Sequence, residues 1–269
     1  MNFLEKLARA CRENRSLLCV GLDTDPSLLP PGIGIFEFNK AIIDATCDLV
    51  CAYKPNIAFY EALGATGMDA LKQTRDYVPE NIPVIIDAKR GDIGNTATAY
   101  ARGLFDYYGF DAATVNPYLG YDALEPFMKY HDRGIFVLCR TSNPSAIDFQ
   151  SLHLETDSGP RMLFEIVAEK VSQWNKHGNL GLVVGATFPE ELKQVRQSYP
   201  NMPLLIPGVG TQGGELSQVV SFGADAAHNR TIINSSRQVL YASKGKDYAA
   251  AAGRAAKELR DKINEYLAD

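Results

Sequence analysis

Charged side chains recur where apolar segments of this sequence end. Asp23, Lys54 and the pair Asp87 and Lys89 follow one another at the ends of the first three such segments. Asp87 and Lys89 are two residues apart, so on a strand their side chains share a face. If that face lies inside the fold, the two charges must neutralise each other and the neighbouring Asp23 and Lys54, because a lone buried charge is costly. A lysine flanked by carboxylates stays an ammonium, which suits it to donating a proton and not to forming a Schiff base. The alternative is a solvated turn, but the apolar letters VII directly before DAKRGD indicate a buried strand.

Two loops near the C-terminus carry the features of a phosphate site. Each follows an apolar segment, and their sequences are PGVGTQGGEL and NSSR. Glycine lets the backbone approach a ligand closely, and backbone N–H groups at the start of a following helix favour a phosphate. Arg237 can add a bidentate, charge-assisted contact. A glycine-rich loop alone can be a tight turn and nothing more, but the two loops together predict an anion site that includes Pro207, Gln212 and Ser236.

The scaffold for these side chains is a series of short strands. Most of the apolar segments lack a clean alternation, as expected for parallel strands that are covered on both faces. Amphipathic segments between them predict helices, for example at 61–77, 94–107, 161–176 and 247–267. The predicted strands are 17–23, 51–56, 83–89, 111–116, 134–140, 180–186, 203–209 and 225–233.

Eight strands that alternate with helices predict an α/β fold with a parallel sheet and right-handed crossovers. Eight is the number that closes a TIM barrel, (β/α)8, and 269 residues fit one such domain over 1–269. An open doubly wound sheet is the alternative, weakened because no GxGxxG follows the first strand. In a barrel, reactive residues lie at the C-terminal strand ends, and the loops after strands seven and eight hold phosphate. The longest irregular stretch, 141–160, is predicted to be a lid or binding loop.

Composition excludes several classes of protein. The 27 Lys and Arg against 32 Asp and Glu give a net charge of −5, so no basic excess exists for binding nucleic acid. No apolar run approaches the ~20 residues of a membrane span, and the charged N-terminal segment does not look like a signal peptide. The five cysteines form no CxxC and the four histidines no HxH or HExxH, which favours packed thiols over a disulfide or metal site. We therefore predict a cytoplasmic protein with no nucleic acid, membrane or metal partner.

At DAKRGDIGNTATAYA the sequence closely resembles the orotidine 5'-monophosphate decarboxylases, in particular their longer bacterial branch. The resemblance extends over nearly the whole chain, through GLDTDP, KPN, NPYLGYD, LCRTSNPS, PGVGTQGG and SSR. It implies the decarboxylation of orotidine 5'-monophosphate to uridine 5'-monophosphate, the last step of de novo pyrimidine biosynthesis. It also implies that the reaction uses no metal and no cofactor.

The resemblance implies an alternating charged network of Lys54, Asp87, Lys89 and Asp92. Within it, Lys89 is the proton donor to the ring carbon. Asp23 and Lys54 match residues that contact the ribose hydroxyls. A homodimer is implied as the functional unit, and the residues that match those reaching into the partner subunit's site are Asp92, Ile93 and Thr96.

Further positions match residues that contact the base and the phosphate. Ser142 matches a contact with the edge of the pyrimidine, and Gln212 and Arg237 match phosphate contacts. One position departs from the family pattern: where the family more often has Gly before the phosphate arginine, this chain has Ser236. Its hydroxyl adds a possible hydrogen bond there.

The residues and the resemblance indicate the same chemistry. Loss of carbon dioxide leaves an electron pair in the plane of the ring, where the π-system stabilises it poorly, so a preorganised ammonium must stabilise it. Phosphate binding is predicted to close the loops 141–160 and 208–214. Two alternatives stay open: a Mg²⁺-dependent sugar-phosphate synthase or lyase of the same superfamily, and a non-catalytic nucleotide-binding scaffold. Loss of activity on chelation would favour the first.

Overall fold

The computed structural model describes residues 1–157, 159–209 and 215–268. The helices of this part are α1 (Phe3–Asn14), α2 (Ile35–Thr46), α3 (Ile57–Glu61), α4 (Gly64–Tyr77), α5 (Gly94–Arg102), α6 (Tyr121–Met128), α7 (Leu163–Trp174), α8 (Pro189–Ser198), α9 (Leu216–Gly223), α10 (Arg237–Leu240) and α11 (Tyr248–Ala268). Its strands are β1 (Leu18–Gly21), β2 (Ala52–Lys54), β3 (Ile85–Arg90), β4 (Ala112–Val115), β5 (Gly134–Arg140), β6 (His153–Thr156), β7 (Gly159–Met162), β8 (Leu180–Val184), β9 (Leu204–Pro207) and β10 (Thr231–Ser235).

Eight of these strands form one parallel sheet in the order β2-β1-β10-β9-β8-β5-β4-β3. The two edge strands meet through the isolated bridges Tyr53–Val84 and Asn56–Asp87. The Asp87 N–H also donates to the carbonyl of Pro55 over 2.9 Å. These contacts bring the two edges together and make the sheet a barrel surrounded by helices. The predicted TIM barrel is confirmed, and the alternative of an open doubly wound sheet is wrong.

The strand centres were predicted well, but the start of the eighth strand was wrong. The sequence predicts this strand at 225–233, and the structure has it at Thr231–Ser235. The Asp225 carboxylate accepts the backbone N–H of Arg230 over 2.9 Å, which closes a turn in place of a strand. Within this turn His228 has a φ of 49°, a left-handed conformation outside the regular β region. The polar residues 228–230 therefore form a turn that the Asp225 carboxylate stabilises.

The stretch 141–160 is more ordered than its composition predicted. It contains a 3₁₀ turn at Pro144–Asp148. It then enters the antiparallel hairpin of β6 and β7, outside the barrel sheet. Two backbone hydrogen bonds tie this insertion to α7: Leu163 N–H donates to the Leu152 carbonyl, and Phe164 N–H donates to the Gln150 carbonyl.

The ends of the barrel differ in character. At the N-terminal end, α1 packs Phe3 against Gly134 and places its ring edge-to-face with Phe136, at 5.6 Å between centroids. The cysteines are free thiols, as predicted, and all except the half-buried Cys47 are buried. Within the described ranges, no helix is both long and apolar enough to span a bilayer. The C-terminal end of the barrel is open, and the polar residues collect there.

Candidate active site

A cavity of about 820 Å³ opens at the C-terminal ends of the strands. It is walled by β1, β2, β3 and β4 on one side and by the segments that follow β5, β9 and β10 on the other. This is the end of a TIM barrel at which reactive residues are expected. The sequence-predicted residues that line it are Asp23, Lys54, Asp87, Lys89, Ser142, Pro207, Ser236 and Arg237.

Asp87 lies between two ammonium groups in this cavity. Its Oδ1 is 2.7 Å from Nζ of Lys89, and its Oδ2 is 3.2 Å from Nζ of Lys54. The hydroxyl of Thr114 donates to the same Oδ1 over 2.8 Å. The Lys54 ammonium, whose side chain is only 4% exposed, also lies 4.0 Å from Oδ1 of Asp23. The four charges predicted from the strand ends therefore form one alternating array.

The array keeps its buried groups charged. Burial by itself would raise the pKa of Asp87, but the adjacent Lys54 and Lys89 outweigh it and hold that pKa well below its ordinary value. Burial would lower the pKa of Lys54, yet Asp23 and Asp87 together raise it above the ordinary value. Cys19 is a buried residue of β1. Burial raises the pKa of its thiol to about 12, so the thiol stays protonated at neutral pH. The site therefore presents fixed charges and no reactive thiolate.

Lys89 adopts an unusual backbone conformation. Its φ is 46°, in the left-handed region that costs a residue with a side chain on the order of 1–3 kcal/mol. The pairing of β3 with β4 shifts register between Ile86 and Arg90, so the strand is irregular at this point. The Lys89 N–H donates to the Thr114 hydroxyl over 2.9 Å, which fixes the bend. Asp87 and Lys89 do face the same cavity, as predicted, but through this bend and not through regular alternation.

The opposite wall of the cavity carries residues of the predicted anion site. Ser236 and Arg237 follow β10, and Pro207 ends β9. The Ser236 hydroxyl lies against Gly21 of β1, where a Cβ would be 1.9 Å from it. It also accepts a long hydrogen bond of 3.4 Å from the Asn234 amide. The predicted phosphate ligand Gln212 lies outside the described residues.

Comparison with known proteins identifies the family. A profile of the orotidine 5'-phosphate decarboxylase / HUMPS family matches residues 16–252. The chain belongs to this family. It is 54% identical over 266 residues to an orotidine 5'-phosphate decarboxylase of Dehalococcoides mccartyi, with 99% of this chain and 98% of the relative covered. It is 52% identical over 259 residues to one of Herpetosiphon aurantiacus, with 94% and 95% covered. The solved structure of Leishmania donovani OMP decarboxylase superposes with a TM-score of 0.86 at 41% identity, and both chains are covered in full.

These findings confirm the resemblance noted in the motifs. They also make the chain an enzyme of the carboxy-lyase class. Its fold agrees with that of the solved family member over the whole length. The cavity described above is therefore the candidate active site of a decarboxylase-family enzyme.

Ser142 reaches the cavity on the segment that follows β5. The backbone carbonyl of Ser142 accepts a hydrogen bond of 3.2 Å from the hydroxyl of Thr187. Gly185, at the end of β8, lies so close that a Cβ there would be 2.8 Å from the Ser142 nitrogen. The segment is thus held against the barrel from one side by the residues after β8.

Two predicted site residues do not line the cavity of their own chain. Asp92 and Thr96 lie at and beyond the end of β3, and neither is among the lining residues. The Asp92 carboxylate accepts the N–H of Ile93 over 2.8 Å. The Ile93 side chain is 56% exposed. In the single chain Ile93 and Thr96 are therefore exposed at the surface, and Asp92 is half-buried.

Several lining residues were missed by the sequence analysis. Thr114 was detectable, because it is the one polar side chain in the buried strand AATV. Gln150 carried no signal, since it lies in a stretch without a recognisable period. In the described part of the chain no group of three or more His, Cys, Asp or Glu side chains is placed to bind a metal ion. The missed polar lining residues are Asp25, Asn56, Thr114, Asn143, Gln150 and Tyr241.

Proposed function

We propose that this chain decarboxylates orotidine 5'-monophosphate to uridine 5'-monophosphate without a metal or cofactor. The proposal includes one domain over 1–269 and a homodimer that works in the cytoplasm. The observation that carries it is the ammonium of Lys89, held 2.7 Å from Asp87 inside the cavity. The relatives named above are decarboxylases, which favours this reaction over a magnesium-dependent sugar-phosphate reaction or a non-catalytic scaffold.

The chemical step places its charge on one carbon. The bond between the ring and the carboxylate breaks, carbon dioxide leaves, and the electron pair stays on the ring carbon in the plane of the ring. The Lys89 ammonium stabilises this charge and then gives the carbon a proton, which leaves the lysine as an amine. Because the ammonium is already in place, little reorganisation is needed when the charge develops. The side chain of Lys89 is 47% exposed towards the open cavity, so it is accessible to a substrate.

Asp87 and Lys54 prepare that ammonium. Asp87 stays ionised, because its pKa is held low by the two lysines. It therefore fixes the position of Lys89 and would repel the carboxylate of the substrate before carbon dioxide leaves. We give the repulsion less weight than the ammonium, because ground-state destabilisation is contested in general.

The remaining lining residues suit the rest of the nucleotide. We assign Asp23 and Lys54 to the ribose hydroxyls and Ser142 to the edge of the pyrimidine. Arg237 suits the phosphate, since a guanidinium can bind it bidentately. The other residues that we assign to the phosphate end are Pro207, Gln212 and Ser236.

We also propose that two subunits share each site. Asp92, Ile93 and Thr96 do not line the cavity of their own chain, and Ile93 and Thr96 are exposed at its surface. Exposed apolar side chains at Ile93 and Tyr118 lie in the segments after β3 and β4 and give this face an apolar character. A second copy would cover them and bring Asp92 of the partner subunit towards Lys89.

The ultraviolet assay of orotidine 5'-monophosphate tests the proposal directly. We expect the wild type to consume it equally with and without a chelator. We expect Lys89→Met to lose at least about 10³-fold in kcat, because it removes the acid and the electrostatic partner of the carbanion. Binding of uridine 5'-monophosphate should remain measurable by calorimetry.

The matched control is Lys257→Met, at an exposed lysine of α11 that pairs with Asp261. It should keep wild-type turnover. Turnover by Lys89→Met at the wild-type rate would remove Lys89 from the reaction. Loss of wild-type activity on chelation would instead favour the magnesium-dependent alternative.

A further inference from the structure

Arg140, the last residue of β5, is a buried cation next to the cavity. Its side chain is 1% exposed. Its Nε donates to Oε2 of Glu191 over 3.0 Å, and its guanidinium lies over the ring of Phe188 at 3.6 Å from the centroid. Its Nη1 donates to Oε1 of Gln150 over 3.3 Å. Because a guanidinium has only donors, it requires the amide oxygen of Gln150 to face it.

This orientation directs the rest of the Gln150 amide to Thr141. The Oε1 of Gln150 also accepts the backbone N–H of Thr141 over 2.8 Å. The Nε2 of Gln150 donates to the hydroxyl of Thr141 over 2.8 Å. That hydroxyl in turn donates to Oδ1 of Asn143 over 2.7 Å. One side chain therefore fixes both the backbone and the side chain of the residue before Ser142.

The opposite side of Ser142 is fixed by β8. The N–H of Gly185 donates to the carbonyl of Arg140 over 2.7 Å, and the Thr187 hydroxyl donates to the carbonyl of Ser142. Only a glycine fits at 185, since a Cβ there would lie 2.8 Å from the Ser142 nitrogen. With Gly185 on one side and Gln150 on the other, Ser142 has little room to move.

We propose that Gln150, oriented by the buried Arg140, is a positioning residue for the pyrimidine ring. It acts through Thr141 on Ser142, which meets the edge of the ring, and so sets the distance between the ring carbon and Lys89. The proposal rests on the proposed function, which assigns Ser142 to the pyrimidine. Misplacing a reacting group by about 1 Å costs on the order of 10²-fold in rate, so the contact matters for kcat.

Gln150→Ala should lower kcat by roughly 10²-fold and raise KM by no more than about tenfold, because the contact with the ring is weakened while the phosphate contacts are untouched. Gln150→Glu should lose less, since a carboxylate still accepts from Arg140 and from the Thr141 N–H but cannot donate to the Thr141 hydroxyl. Gln173→Ala, at an exposed glutamine of α7, is the matched control and should keep wild-type kinetics.

A double-mutant cycle separates positioning from a merely structural role. If Gln150 acts through Ser142, then Gln150→Ala combined with Ser142→Ala should be no slower than Ser142→Ala alone. Calorimetry gives a second measurement that needs no turnover. Gln150→Ala should weaken binding of uridine 5'-monophosphate about tenfold and leave binding of ribose 5-phosphate, which has no ring, unchanged.

Additive losses in the cycle, or equal weakening of both ligands, would overturn the proposal. If Gln150→Ala does not fold, Thr141→Val replaces it in the cycle. This variant lacks the Thr141 hydroxyl and so removes the same hydrogen bond with Nε2 of Gln150. A wild type that leaves orotidine 5'-monophosphate unconsumed would overturn the proposed function instead. In that case the same double-mutant cycle of Gln150→Ala and Ser142→Ala can be measured by the affinity for uridine 5'-monophosphate, and it would still decide the role of Gln150.

Discussion

The residues of the site depend on one another for their charge. Lys54 is almost fully buried, and an isolated ammonium there would lose its proton or destabilise the fold. Asp23 and Asp87 make the charge tolerable, and Lys89 in turn balances the second carboxylate. An alternating array of this kind holds an ammonium ready next to a carbanion, which a single lysine in an apolar pocket would not do.

The stability of the protein should report this coupling through its pH dependence. The folded-state pKa of Asp87 lies below its unfolded value of about 4, so its contribution is present above that pH and is lost as the pH falls. Asp87→Asn mimics the protonated acid and should cost about 3–5 kcal/mol of unfolding free energy at pH 7, since it breaks a buried ion pair. The difference between the two proteins should stay constant down to pH about 4 and shrink below it, as the pH falls towards the lowered folded-state pKa of Asp87. Urea unfolding between pH 2 and 7 measures this, and a difference that does not shrink below pH about 4 would contradict it.

Gly21 and Ser236 form a second dependent pair, across neighbouring strands. A Cβ at position 21 would lie 1.9 Å from the Ser236 hydroxyl and 2.9 Å from its Cβ. Gly21→Ala should therefore displace Ser236 and with it Arg237, and raise the KM for a phosphate-bearing substrate by roughly tenfold. Ser236→Gly removes both clashing atoms, so the double variant should recover most of the affinity. Steady-state kinetics of the two single variants and the double variant test this, and a double variant as weak as Gly21→Ala would refute the steric explanation.

At the scale of elements, the sequence was informative where a short apolar segment between amphipathic segments marks a buried strand. The eight strand centres and the charges at their ends followed from apolar segments that stop at polar residues. The structural features that the sequence did not predict depend on contacts between segments that are distant in the chain. The left-handed bend at Lys89 is held by Thr114 of the next strand, and the position of Gln150 is set by Arg140 and α7. No local pattern encodes either contact.

The two ends of the barrel should respond differently to mutation. Phe3 of α1 fills the N-terminal end, packed on Gly134 and edge-to-face with Phe136. Phe3→Ala should cost about 3–5 kcal/mol of unfolding free energy through the cavity it leaves. Below the unfolding transition, kcat and KM of this variant should stay at the wild-type values, because the candidate active site lies at the opposite, C-terminal end of the barrel.

Denaturant unfolding alongside kinetics measures both effects of Phe3→Ala. The exposed Tyr107→Ala is the control for removal of an aromatic ring and should change the unfolding free energy by less than about 1 kcal/mol. A large loss of kcat in folded Phe3→Ala would show that the N-terminal end of the barrel also shapes the site.

At the scale of the whole molecule, the negative net charge of the protein repels the proposed anionic substrate. The chain carries a net charge of −5, and the substrate is an anion. Salt screens distant charges beyond about 8 Å at physiological ionic strength, so the groups inside the cavity decide binding. There Lys54, Lys89 and Arg237 face Asp23, Asp25 and Asp87. Asp92 of the partner subunit would add another acid to this balance, which is why the oligomeric state bears directly on the chemistry.

Mixing two inactive variants tests the shared site. A hybrid of a Lys89→Ala chain with an Asp92→Ala chain contains one site with both residues intact and one with neither. After random exchange of equal amounts, half of the dimers are hybrids, so about a quarter of wild-type activity should return. The control is Lys89→Ala mixed with Lys54→Ala: both positions belong to the cavity of their own chain, so no hybrid site is intact. Native mass spectrometry confirms the exchange, and kcat per site is measured on the mixture. Equal recovery in both mixtures, or none in the first once hybrids are present, would place Asp92 outside its neighbour's site.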